Sequence, residues 1–488
     1  MNNTKSTNEN NAQQTTIQDD TRPSEATRYE ITSKPTAHDE PDSERALREE
    51  NVRSLLFRLA IPAITAQVIN ALYNMVDRMY IGHIPGIGGT ALTGVGVTFP
   101  IIMVISAFAA LVSMGGAPRA AIQMGKQDHR GAEEIMGCCT AMLVLLSLLL
   151  SALIYAGREP LLYLFGASEN TFRYGEAYLT IYLCGTIFVQ LTLGLNAFIT
   201  TQGYAKISMM TVIIGAGLNI ILDPLFIFAL GMGVRGAALA TVISQACSAL
   251  WVLRFLTSKK SGLRLRRCYL RLRPAILLPV MGLGIAPFIM QFTESIIILC
   301  FNSSLLRYGG DLAVGAMTIL SSVMQFAMLP LSGLTQGAQP IISYNFGAQN
   351  IRRVKDAFRI LLTSCLIYST ALWLICMLFP QVLAGIFTGD AALIDTVKWA
   401  LRVYMGTSFL FGAQIACQQT FIALGNAVTS TFLALLRKVI LLIPLIFILP
   451  NFFTDRVFAV FLAEPVTDLI AVLTTLTLFI HYARKTLR

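Results

Sequence analysis

The chain has 488 residues, 55% of them hydrophobic and only 13% charged, with a formal net charge of +10. A soluble chain of that length would divide into roughly three domains, yet apolar runs of about 20 residues recur along nearly all of it, each long enough to cross a hydrocarbon layer about 30 Å thick. A set of soluble domains is excluded; this is the composition of a polytopic all-α integral membrane protein.

The first 52 residues stand apart. They are rich in Asn, Thr, Gln and acids with almost no apolar clustering, so they cannot bury a core and are expected to form a disordered cytoplasmic tail. No charged leader runs into a short apolar segment, so the first transmembrane helix must itself direct the chain to the membrane. Twelve spans are predicted near 56–82, 91–116, 135–157, 176–200, 207–230, 234–257, 276–305, 312–338, 357–379, 399–423, 430–450 and 457–482. They give a first six-helix bundle over 53–258, a basic linker over 259–275 and a second bundle over 276–488.

The linker, "SKKSGLRLRRCYLRLRP", carries Lys259, Lys260, Arg264, Arg266, Arg267, Arg271 and Arg273 without one acid. A basic run can bind nucleic acid, but between two spans it reads as a cytoplasmic anchor by the positive-inside rule. Arg119, Lys126 and Arg130 after the second span agree, as do Arg352, Arg353 and Lys355 after the eighth; "HIPGIGG" and "NFFTD" on the opposite side are poor in Lys and Arg. Both termini are therefore expected in the cytoplasm of a multi-pass protein of the cell inner membrane. The net charge is assigned to anchoring on anionic lipid, with no nucleic-acid partner.

Cofactor chemistry finds little support. Nine cysteines include no CxxC, and most lie in apolar runs as small hydrophobes. The four histidines have no ligand spacing, and there is no Walker loop for ATP-driven pumping.

The chain resembles itself at a shift of about 220 residues. "GGAPRAAIQMGKQDHRGAEE" lines up with "QGAQPIISYNFGAQNIRRVK", placing Pro118 on Pro340, Gly125 on Gly347 and Gln127 on Gln349. "AFITTQGYAKIS" lines up with "TFIALGNAVTS", and "LDPLFIF" with "LIPLIFI". Six spans separate equivalent points, so the halves share one orientation, with a substrate path expected between two bundles related by an internal parallel repeat. The alignment puts Ile443 opposite Asp223 but keeps Pro224 on Pro444. The proline is architectural; the carboxylate is an addition to one half.

Depth along the spans, at about 1.5 Å per residue, brings polar side chains together. Asp77 lies about 8 Å from the outer end of the first span, Asp223 about 10 Å from that of the fifth, and Thr241 about 10 Å into the sixth. Asn219 shares a face with Asp223 at i, i+4 spacing. Two neighbouring acids repel and would share a proton, and with oxygens from Asn219 and Thr241 the cluster could instead hold a bare Na⁺. An inert polar packing network is the plainer reading, but intramembrane acids are functional by default. In the second half, Glu294 lies near the middle of the seventh span, and Glu464 and Asp468 are one turn apart in the twelfth. Two readings stand side by side: a second cation or cationic-drug site, or pairing with Arg437 and Lys438 of the eleventh span.

Over residues 53–488 the sequence resembles the multidrug and toxic compound extrusion (MATE) family, closest to its bacterial multidrug branch. The resemblance is carried by "NMVDRMYIG", "GLNIILDPLFIF", "GVRGAALATVIS" and the short Gly-containing loops of both halves. It implies a transporter and not an enzyme: two six-helix bundles in a V, exporting organic, cationic drugs in exchange for H⁺ or Na⁺ by alternating access. It further implies a monomer that needs no cofactor beyond the coupling ion. The family's N-lobe cation site falls on Asp77, Asn219, Asp223 and Thr241, with Tyr73 one turn below Asp77. Glu294 matches an acidic position of some members that also carry an acid in the tenth span. "TSFLFGAQIACQQTFIAL" has none, so coupling is expected in the first half. A lipid-linked oligosaccharide flippase of related fold is the alternative, and a non-transporting receptor or scaffold a third reading. Flippases need basic residues lining the cavity, whereas the candidates here are Glu294 and Glu464 with Met290, Phe292, Met324, Phe326 and Tyr404, a set suited to flat cations.

Overall fold

The computed structural model describes residues 42–487, whose regular elements are all helical. In the first half these are α1 (Asp42–Glu49), α2 (Val52–Gly82), α3 (Gly88–Gly125), α4 (His129–Ala156), α5 (Arg158–Leu164), α6 (Glu169–Cys184), α7 (Thr186–Thr201), α8 (Ala205–Pro224) and α9 (Val234–Thr257). The second half holds α10 (Pro274–Gly347), α11 (Ile351–Leu378), α12 (Pro380–Phe387), α13 (Ala391–Tyr404), α14 (Phe411–Ala423), α15 (Ala427–Leu435), α16 (Ile443–Ile448) and α17 (Arg456–Thr486).

Among the described residues nine helices are long and apolar enough to cross a membrane, ten if the bent pair α6–α7 counts as one span. The 74 residues of α10 make two passes. Gly284 near its start lies against Leu111 of α3, and Gly347 at its end lies against Ile122 of the same helix. Those α3 positions are about 16 Å apart along the axis, whereas a straight helix from 284 to 347 would extend about 95 Å. The chain reverses at Gly310, where φ 64° and ψ −161° are open to glycine alone. With α13–α14 as a further interrupted span, the total is twelve.

Two spans are less regular than expected. The fourth begins at Glu169 and bends by 59° between α6 and α7. At that break a side chain on Gly185 would strike Val242 of α9. The tenth breaks into α13, the 3-10 turn Ser408–Leu410 and α14. Its freed carbonyls are taken by side chains: Trp373 Nε1 donates to Gly406 O (3.0 Å) and Ser369 Oγ to Phe409 O (2.9 Å). Irregular backbone at membrane depth requires such partners.

The internal repeat is visible in the backbone. The only two non-glycine residues with positive φ among the described residues are Gln127 (63°) and Gln349 (59°), the pair that the repeat superimposes. Each follows the end of a helix, and the next N–H reaches back: Asp128 N to Gln123 O and Asn350 N to Asn345 O, both 2.9 Å. Asp128 and Asn350 then cap α4 and α11, accepting from Gly131 N and Arg353 N. The repeat also pairs Gly203 (φ 88°) with Gly425 (φ 77°).

Of the tail expected to be disordered, residues 1–41 lie outside the described residues; the remainder does not fit the expectation. Asp42–Glu49 is a helix whose Leu47 is fully buried. Asn345 Nδ2 and Arg353 Nη2 donate to Leu47 O at 3.0 and 3.1 Å, and Arg353 Nη2 also reaches Glu50 O at 2.8 Å. Glu44 is buried beside Tyr344 and His129. A segment too polar to fold alone is ordered by docking on the ends of α4, α10 and α11. The linker is likewise held: Arg266 pairs with Glu133 (2.9 Å) and Arg273 with Glu134 (2.8 Å), both on α4. These pairs gather α1, the linker and the starts of α4 and α11 at one end of the molecule, the basic-loop end.

Candidate functional site

Why a run as apolar as "GLNIILDPLFIF" holds a carboxylate is answered by what faces it. Asp223 is fully buried near the end of α8, and Pro224, lacking an N–H, is followed by a π-helical turn, Leu225–Ala229. Asp77 on α2 is the acid that adjoins Asp223. Asn219 Nδ2 donates to Asp223 Oδ1 (3.3 Å) and approaches Thr241 Oγ1 on α9 (3.4 Å). Tyr73 adjoins both acids. The structure thus brings together all five residues of the first-half set. It adds Tyr178 of α6, which adjoins Asp77 and Thr241 and whose ring stacks on Tyr182 (centroids 6.2 Å apart). Neither acid forms an ion pair among the described residues; Arg78, next to Asp77, sits instead 4.8 Å from the Phe99 ring. Asp77 Oδ1, Asp223 Oδ2 and Asn219 Oδ1 are buried without a hydrogen-bond partner among the described residues. Three oxygens of this kind, two anionic, fit a proton or a small monovalent cation. No cluster of three or more His, Cys, Asp or Glu suited to a transition metal occurs among the described residues.

The second half is built differently. Its fifth span carries a π-helical segment, Leu436–Leu442, that turns Arg437 and Lys438 inward. Arg437 Nη2 lies 2.8 Å from Asp468 and 3.3 Å from Glu464, and Lys438 Nζ lies 2.8 Å from Glu294. Of the two readings left open for these acids, pairing is the one the side chains adopt. The remaining second-half candidates do not form one surface. Glu464 and Tyr404 are buried, the latter against Phe301 (6.0 Å). Met290 Sδ accepts from Gln418 Nε2 (3.3 Å). Phe292 is 39% exposed and stacks on Phe288 (5.6 Å), which meets Phe108 edge-on (5.0 Å). Only the Glu294 side chain, 57% accessible, combines charge with exposure.

The two halves meet across a floor made largely of glycine. Gly125 packs on Tyr344 O and Gly347 on Ile122 O; Gly115 packs on Val280 O and Gly284 on Leu111 O; Gly333 and Gly337 pack on Ile64 and Ala60. The repeat maps Leu111 and Gly115 onto Gly333 and Gly337, so the α3–α10 and α2–α10 contacts are two copies of one seam. The i, i+4 glycines 333 and 337 are a small-xxx-small motif legible in the sequence, and the sequence analysis passed over it. Following the seam-facing stripe of α2 beyond Ala60 and Ile64, Val68, Leu72, Met75 and Met79 are 38–54% exposed. The halves are joined at the basic-loop end and part toward the other.

With this geometry in hand, the comparisons are direct. The chain matches the MatE family over residues 62–225 and 287–448. It is 25% identical over 425 residues to "Multidrug export protein MepA" of Staphylococcus haemolyticus, covering 87% of this chain and 93% of that protein. It superimposes with a TM-score of 0.85 and 22% identity on an outward-facing multidrug resistance MATE family transporter of the MOP superfamily, covering 92% and 99% of the two chains. A MOP superfamily transporter from Pyrococcus furiosus, described as having a binding pocket of reversed polarity, gives 0.85 at 21% identity over the same shares. The chain is a twelve-helix membrane transporter, and it belongs to the MATE family.

Proposed function

We propose that this transporter exports organic cations from a bacterial cell in exchange for H⁺ or Na⁺, with the Asp77–Asp223 pair as the coupling site. One observation carries the reading: among the described residues the two carboxylates share a buried site without an ion pair, while the buried Glu464 and Asp468 of the facing bundle both pair with Arg437. An uncompensated carboxylate in a membrane helix costs about 2.5–3.5 kcal/mol even on lenient scales, a burden that a packing role does not require. The partially accessible Glu294 carboxylate supports a cationic substrate in the cleft. A flippase would need its bases free for a pyrophosphate, and Arg437 and Lys438 are engaged. The positive-inside rule supports basic loops, and both termini, on the cytoplasmic side, which makes the cleft outward-open.

Ethidium efflux from everted vesicles, driven in turn by an imposed pH gradient and an imposed Na⁺ gradient, tests the proposal. Acceleration by one gradient identifies the ion; an efflux rate indifferent to both refutes exchange.

A further inference from the structure

Below the acid pair the first bundle holds a small, partly open pocket, with the exposed Asn70 and Leu193 at its rim. A cavity of about 50 Å³ lies between α2, α7, α8 and α9, reaching from Asn219 and Thr241 to Thr211 and Ser248. That is room for a few waters. Its wall is unusual for membrane depth. Asn219, Thr241, Ser244, Ser248, Thr211 and Thr192 are each at least nine-tenths buried, and all line it. Asn219 Oδ1, Ser244 Oγ and Gln245 Oε1 have no hydrogen-bond partner among the described residues. A buried acceptor left unmet costs about 1–3 kcal/mol, so three along one wall call for a ligand. Most of the wall is apolar, with Leu193, Val212 and Ala216 in it, and the polar groups set into it are hydroxyls and amides with no charge beyond the acid pair at its top, which suits a hydrated monovalent cation rather than an anion or a divalent ion.

The polar surface also leads somewhere. Thr192, Asn196 and Thr200 descend one face of α7, and Thr211 and Ser208 descend α8 beside it. Asn196 Nδ2 donates to Ser208 O (3.3 Å), Thr200 Oγ1 to Ser208 Oγ (2.8 Å), and Asn196 Oδ1 is again without a partner among the described residues. This line runs away from Asp77 toward the basic-loop end, where the glycine seam is closed.

We propose that the cavity is a relay site for a small monovalent cation, Na⁺ or hydronium, passing between the Asp77–Asp223 pair and the basic-loop side within the first bundle. The ion then leaves through one bundle while the drug moves between two. The inference rests on the coupling role proposed above.

Gly215 marks the waist: a Cβ there would lie 2.6 Å from Ser248 Oγ. Gly215→Ala and Ser244→Val fill the cavity without touching either acid. Both should keep drug affinity within about twofold and lose roughly tenfold or more in gradient-driven efflux. Wild-type efflux by either folded variant overturns the relay. A second measurement needs no transport: silver(I), a thiol-binding monovalent cation, is applied to one side of sealed vesicles carrying Ser244→Cys, and protection from later alkylation is compared with the parent chain. Protection from the basic-loop side supports the relay. Protection only from the side that also reaches Met75→Cys overturns it, because the cavity would then open to the cleft. If wild-type efflux answers to neither gradient, the exchange reading falls, and the silver result still decides the route.

Discussion

Arg437 offers the most quantitative test of how the second bundle is held. Its guanidinium serves two carboxylates, Asp468 at 2.8 Å and Glu464 at 3.3 Å, with side-chain exposures of 12%, 0% and 4%. Arg437→Met preserves length and apolar volume but strands two buried acids one helical turn apart. Breaking a buried pair by removing one partner costs about 3–5 kcal/mol. For a bundle of roughly 200 residues melting as a unit, each kcal/mol moves the midpoint about 2–4 °C, so the loss is about 6–20 °C. Replacing all three, Arg437→Met with Glu464→Gln and Asp468→Asn, should recover most of it, since the members of one network are not additive. Thermal melts of purified protein followed by intrinsic fluorescence supply both numbers. A single variant that melts within 2 °C of wild type, or a triple variant no better than the single, would refute the assignment of these groups as a mutually dependent network.

Other tests address the site and the cleft. Asp223→Asn keeps shape and hydrogen bonding while removing charge, so the protein should fold with unchanged or slightly higher melting temperature yet fail to move drug against a gradient. Wild-type efflux by that variant would sink the coupling role. Asp77→Asn should behave alike, and the double variant should be little worse than either in an efflux assay. Glu294→Gln removes the charge opposite Lys438, 2.8 Å away, and should change the order of substrate affinities while cation-driven efflux of some drug survives; loss of transport for all drugs would move coupling to the second bundle. Arg266→Cys, 57% exposed on its parent side chain, should be labelled only from the cytoplasmic face, and external labelling would invert the orientation.

How far the sequence reached depended on whether a feature was periodic or tertiary. The spans were legible because a membrane helix must be apolar over its length. The repeat was legible because its turns demand particular residues: Gln127 and Gln349 stand where the chain leaves one helix left-handed before an Asp or Asn caps the next. The meeting of Asp77, Asp223 and Thr241 followed from depth, since three helices of known direction fix the level of each side chain, and Asn219 from its spacing to Asp223; Tyr73 came only with the family resemblance. Tyr178 escaped that argument; the bend at Gly185 shifts its span, and one tyrosine in "YLTIYL" has no distinguishing neighbour. The order of Asp42–Glu49 was also hidden, because its partners Asn345 and Arg353 lie some 300 residues away. The choice between pairing and ligand binding for Glu464 and Asp468 turned on rotamers that a π-helical segment sets, and no local pattern announces one.

The glycine floor of the cleft has a consequence for variation in this chain. Where two surfaces meet through backbone alone, an added methyl has nowhere to go: Gly115, Gly284, Gly333, Gly337 and Gly347 each press on carbonyls or main-chain atoms of the opposite bundle. A side chain at any of them is a wedge that acts only on the closed arrangement and leaves the interior of either bundle intact. Some 5.5 kcal/mol separates a 1:99 population from a 99:1 population, and two or three such wedges supply that order of strain. If the exchange proposed above runs by alternating access, substitutions along this line would act as dials on residence time, favouring exposure to one face of the membrane over the other.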